Sequence, residues 1–170
     1  MLDEDLLHPV WTPGVARGGA PSGVLRAMTA EGLLVELLPH VWVAADLARE
    51  PGARAAALRA LLRCAAGHQV AASPVVVRGV VGLSAAAWLH GCPRAPARVD
   101  LLVPGGTGSR GLPAPLRLRR VLDPVAGSVR LGPLRASDRA RTLDDLRRLG
   151  RGRGDAEALR WLEASSRRAS

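Results

Sequence analysis

The chain has 170 residues, 48% of them hydrophobic, and its 24 basic residues outnumber its 15 acidic ones to leave a formal charge of +9. That length holds one ordinary domain or two very small ones, and a mean hydropathy of +0.10 excludes wholesale disorder. Two cysteines, Cys64 and Cys92, exclude a disulfide scaffold and point to a reducing compartment.

Every basic residue in that count is arginine, and Lys, Asn, Ile, Phe and Tyr are absent. The codons of these five are AT-rich, so the choice of arginine reflects coding bias, whereas the surplus of charge does not. Residues 1–50 carry three arginines and seven acids, residues 51–110 seven and one, and residues 111–170 fourteen and seven. The basic surface therefore belongs to the last two-thirds. The start, Met1-Leu-Asp-Glu-Asp, is acidic where a leader is basic. No apolar run approaches the ~20 residues of a spanning helix. These features predict a cytoplasmic protein without a membrane partner.

Thr12-Pro13 predicts a capped helix start, broken by Gly18-Gly19 and Pro21. Ser22 caps a second helix with Val24, Leu25 and Met28 on one face, stopped by Gly32. Leu33–Leu38 and Val41–Ala44 are β-prone runs around Pro39-His40. Helix, turn, helix and two-stranded wing is the order of a winged helix-turn-helix, expected over residues 1–46.

A basic α+β domain is expected over 47–170. Pro51–Cys64 reads as a helix with Ala56, Leu58, Leu61 and Leu62 inward. Val75–Val77 reads as a strand, Ser84–His90 as a buried helix ending at Gly91, and Arg98–Val103 as a strand entering a loop to Pro115. Leu116–Arg119 and Val129–Leu131 alternate as half-exposed strands. Two amphipathic helices close the chain. The first is capped by Ser137 or Asp138, with Ala140, Leu143, Leu146 and Leu149 inward; the second starts at Asp155, with Ala158, Leu159 and Leu162 inward.

Ser84-Ala-Ala-Ala-Trp-Leu-His-Gly91, then Arg98-Val-Asp-Leu-Leu-Val103, then Arg139-Ala-Arg-Thr-Leu-Asp-Asp-Leu146, in that order, resemble the actinobacterial members of the AbiEi family, the antitoxins of type IV toxin–antitoxin systems. Val41-Trp42-Val43 matches the triplet that ends the wing in that family. The resemblance implies an N-terminal winged helix-turn-helix, DNA binding and neutralisation of a partner toxin. The chain departs from the pattern in its compressed helix-turn-helix and its acidic first segment, where Arg26 is the lone basic residue of the recognition helix.

Arg117 and Arg119 leave one face of an alternating strand, Arg130 on the next predicted strand joins them, and Arg120 stands at the edge. Such a stripe matches the phosphates of duplex DNA. In the penultimate helix Arg141–Asp145 and Asp144–Arg148 are i,i+4 pairs, while Arg147, Arg148, Arg151 and Arg153 are expected to have too few acidic partners nearby and to face a partner. Arg26 is placed to read bases.

Cys64-x3-His68 and His90-x-Cys92 offer two thiols and two imidazoles to a tetrahedral zinc, but neither is a Cys-x2-Cys hook. Buried thiols and a core histidine bonded to a carbonyl are the simpler reading, so no metal is expected. Gly82-Leu-Ser84-Ala-Ala86 lacks the second glycine of a nucleophile elbow, Asp100 is followed by leucines rather than a second metal-binding carboxylate, and Gly105–Ser109 lacks a phosphate-binding lysine. No catalytic residue and no cofactor is assigned. Trp42, Trp88 and Trp161 sit in apolar patterns, which disfavours a base-stacking platform. The function expected is a non-enzymatic DNA-binding regulator of antitoxin type. The alternatives are a module gripping an acidic protein partner, or a structured-RNA or ribosome-binding protein.

Overall fold

The computed structural model of the chain describes residues 10–11, 22–67, 79–108, 115–132 and 134–168. Within them it is a mixed α+β structure with two sheets. The predicted helix at Thr12-Pro13, the predicted strand Val75–Val77 and His68 lie outside the described residues.

The first unit joins β1 (Val10–Trp11), α1 (Ser22–Ala30), β2 (Leu34–Leu38) and β3 (Val41–Ala44). α1 stops where predicted. The Gly32 amide donates to Thr29 O and the Leu33 amide to Met28 O, with Gly32 at φ 75°, a left-handed cap open to glycine. Leu25 is fully buried against Leu34 and Trp42, whereas Val24, expected beside it, faces solvent. The tight β2–β3 turn puts His40 at φ 63°, held by its amide donating to Glu36 Oε1 at 2.7 Å. The three strands are antiparallel in the order β1-β3-β2.

α2 (Pro51–Gly67) opens on a proline in its first turn and buries Leu58, Leu61 and Leu62; Ala56, predicted inward, is only half-buried. It lies against β2 and β3 on one side and against the second sheet on the other. One apolar cluster joins Leu38, Val41 and Val43 to Leu58, Trp88, Leu101 and Ala136, so it runs across the expected boundary at residue 46.

The second sheet has the order β6-β5-β4-β8-β7, from β4 (Val80–Gly82), β5 (Val99–Pro104), β6 (Leu116–Val121), β7 (Ser128–Leu131) and β8 (Leu134–Ser137). β4 and β8 were not anticipated from the sequence. β5–β6 and β4–β8 run parallel, β4–β5 and β7–β8 antiparallel. The register sorts the side chains. Val81, Val99, Leu101, Leu116, Leu118, Leu134 and Ala136 share the core face, and Asp100, Arg117, Arg119, Arg130 and Arg135 share the other.

β4 passes directly into α3 (Leu83–Leu89). A Cβ at Gly82 would lie 2.8 Å from the Leu102 side chain, so the crossing needs glycine. α4 (Arg139–Leu149) is capped by Asp138, which accepts from the Arg141 amide at 2.8 Å, and α5 (Arg153–Arg167) follows after Gly150–Gly152. Leu146, Ala158 and Leu162 close on Leu83, Ala87 and Cys92 of the α3 segment. Ala140, predicted inward, is exposed; Thr142 and Asp145 take the buried positions, because both have hydrogen-bond partners there.

Candidate nucleic-acid interface

Asp100 is 2% exposed on β5, and parallel pairing sets it beside Arg117 of β6. Arg117 grips it bidentately, Nε to Oδ1 at 2.6 Å and Nη2 to Oδ2 at 3.1 Å. Arg119 Nε donates to the same Oδ1 at 2.9 Å, and its Nη2 reaches Leu149 O at the end of α4 at 3.5 Å. The hydrogen bond to Asp100 raises the Arg117 pKa above its ordinary value, against the opposing effect of burial. The two arginines predicted to carry the phosphate stripe thus share a buried carboxylate. Nothing in their spacing signals this, since Asp100 lies 17 residues before Arg117.

The third member of that stripe stands elsewhere. Arg130 lies on β7, at the opposite edge of the sheet from β6, four strand spacings or roughly 19 Å away. It faces Arg135 of β8 in direct cross-strand register, and both are exposed. Arg135 Nη1 donates to Ser128 Oγ at 3.0 Å, and Ser128 Oγ donates to Val125 O at 2.6 Å. Among the described residues neither guanidinium has a carboxylate partner. Arg135 was missed from the sequence, although Gly132-Pro133 between two short alternating runs is a hairpin signal that would have found it.

The arginines of α4 and α5 correct the expectation that they have too few acidic partners. Arg147 pairs with Glu163 at 2.9 Å, Arg148 with Asp145 at 3.4 Å rather than with Asp144, and Arg153 with Glu157 at 3.0 Å. Helix α5 lies alongside α4 and supplies the glutamates. Glu157 has its pKa lowered: the cost of burial, which acts the other way, is outweighed by hydrogen bonds from Arg153 and Arg94. Arg147, Arg148 and Arg153 keep their own side chains largely in solvent, although Asp145 is buried, and pairs with such exposed arginines hold them weakly. Arg151 and, on α1, Arg26 are exposed without a carboxylate partner among the described residues. Arg120, on the core-side face, donates to Thr107 O at 3.0 Å.

Arg141 organises the connection between the sheet edges. Its guanidinium donates to Asp123 O and Pro124 O at 3.0 Å each, to Ala126 O, and to Asp145 at 3.2 Å as predicted. Asp123 accepts the amides of Ala126 and Val125, which lower its pKa. The resulting rigid turn borders a cleft of about 660 Å³ shared with α4 and presents Leu122 fully to solvent.

A buried arginine and a half-buried histidine serve the core. Arg54 of α2 donates to Trp88 O at 2.7 Å and Cys92 O at 3.0 Å and lies over the Trp88 ring, so it caps the end of α3. Burial lowers its pKa, partly offset by the neighbouring Cys92, while burial raises that thiol. His90 Nε2 lies 2.7 Å from Ser137 O, the carbonyl contact predicted for it. The Cys64 side chain and His68 lie outside the described residues; among the described residues no cluster suited to a metal occurs. Trp42 and Trp88 are buried and Trp161 half-buried.

Set against protein-family models, curated proteins and solved structures, the chain matches none. No described helix is long and apolar enough to cross a membrane.

Proposed function

We propose that the protein is a cytoplasmic, non-enzymatic regulator that binds duplex DNA, of the kind the type IV antitoxins represent. The observation that carries this reading is the connectivity of the first unit. α1 separates β1 from β2 in the chain, yet β1 and β2 flank β3, the strand order of a winged helix in which α1 is the recognition helix and β2–β3 the wing. Arg26 on the exposed side of α1 supplies a bidentate base contact, and the arginines of the second sheet, with Arg147, Arg148, Arg151 and Arg153, supply phosphate contacts. No metal or cofactor is required, and a partner toxin follows from the resemblance.

Titration with duplex from its own promoter at about 50 mM salt tests this: sub-micromolar affinity is expected, with log K falling linearly against log salt. Arg26→Ala is expected to flatten discrimination between promoter and scrambled duplex by about 1–3 kcal/mol. Absence of duplex binding overturns the reading. The second reading, a protein-docking module, is favoured by Leu122, fully exposed on a turn that Arg141 makes rigid. It predicts a Leu122→Asp variant that keeps DNA affinity and loses a protein partner.

A further inference from the structure

Arg130 and Arg135 are direct cross-strand partners on an outer hairpin. In that register Cβ atoms sit about 5 Å apart, and like charges so placed destabilise the hairpin. Elsewhere on the same sheet face the two arginines of β6 enclose a carboxylate; here the described residues provide none. Arg135 is moreover held in place through Ser128, which is itself tied to the Arg141-braced turn. An exposed pair of guanidiniums, one of them positioned by a hydrogen-bond chain, is uncompensated among the described residues and has the geometry to chelate a tetrahedral anion between two forks.

From this we infer that Arg130 and Arg135 form a phosphate clamp that engages one backbone phosphate group of nucleic acid, with the Ser128 hydroxyl as its positioning residue. This deepens the DNA-binding reading and assigns its phosphate contact to the β7–β8 hairpin rather than to the β6 arginines. Because the pair repels itself when empty, its removal is opposite in sign for folding and for binding.

The test compares wild type with the Arg130→Gln/Arg135→Gln variant, and with Arg160→Gln/Arg167→Gln, which removes the same charge from exposed positions on α5. Melting is followed at low salt with and without inorganic pyrophosphate, and duplex binding is titrated over salt. The clamp predicts that the hairpin variant melts no lower than wild type, loses the pyrophosphate-induced rise in Tm, and binds duplex roughly ten-fold more weakly with a salt slope reduced by about one. The α5 variant keeps the pyrophosphate response. Duplex binding with unchanged affinity and slope in the hairpin variant overturns the clamp and leaves the DNA-binding reading standing. No duplex binding by wild type, with a pyrophosphate response lost only in the hairpin variant, overturns the DNA reading and upholds the phosphate site. A pyrophosphate response equal in all three proteins overturns the clamp.

Discussion

At one edge of the five-stranded sheet Arg117 and Arg119 close around Asp100; at the other, Arg130 and Arg135 face each other with no carboxylate partner among the described residues. Residue type, sheet and face are the same. The difference is a single acid, 2% exposed, that converts two cations into part of the scaffold. Counting arginines therefore overstates the charge a partner meets. At the β6 edge both guanidiniums donate to the carboxylate, and at the β7 edge both are exposed, with Arg135 donating only to a hydroxyl.

The contrast breaks most sharply at Asp100. Asp100→Ala leaves two guanidiniums partly buried and unpaired and is expected to cost about 3 kcal/mol by urea denaturation, since removing one partner of a buried ion pair strands the other. A loss below about 1 kcal/mol would show that solvent already screens both arginines and that the two edges are alike. Next comes the turn that links them. Arg141→Ala orphans three carbonyls and is expected to cost about 2 kcal/mol, with faster hydrogen exchange at the Asp138 amide, which donates to Gly127 O. Unchanged exchange there would mean the turn holds itself.

His90→Ala sharpens the comparison from the core side, because His90 fastens α3 to the carbonyl of Ser137 at the end of β8. The expected loss is about 1–2 kcal/mol. A melting temperature of the native protein that falls in EDTA would instead mark the histidine as a metal ligand. The smallest effect is one of pH. Asp123 has its folded pKa lowered by the amides of Ala126 and Val125, so its contribution is present above the ordinary aspartate pKa and is lost as pH falls through the lowered folded value. Exchange protection of the Val125 and Ala126 amides should weaken only on that acid side, and Asp123→Asn should remove the dependence. Protection lost instead near neutral pH would place the control elsewhere.

Most of the local architecture was legible. The Gly32 stop, the Asp138 cap, the β-prone runs of β2 and β3, the β6 alternation and the buried Leu83–Leu89 helix all rest on local relations, which covalent geometry sets wherever the segment lies. β4 was not legible, because Val80-Val81-Gly82 shows no polar–apolar alternation, and β8 was missed although Leu134-Arg-Ala-Ser alternates as β7 does. The inward turn of Thr142 and Asp145, in place of Ala140, also escaped pattern reading, since polarity argues against burial until the partners are known.

By itself the sequence determined that the last two-thirds would be basic, that Arg117 and Arg119 would leave one face together, and that Arg141 would meet Asp145. Those are matters of composition and of spacing along one element. Which arginines stay available was decided only in three dimensions. Asp100 and Arg117 are far apart in the chain and meet through parallel pairing of β5 with β6, while Arg130 and Arg135 meet through a hairpin placed on the opposite edge. A charge's effect depends on what lies within a few ångströms of it, and strand order sets those neighbours.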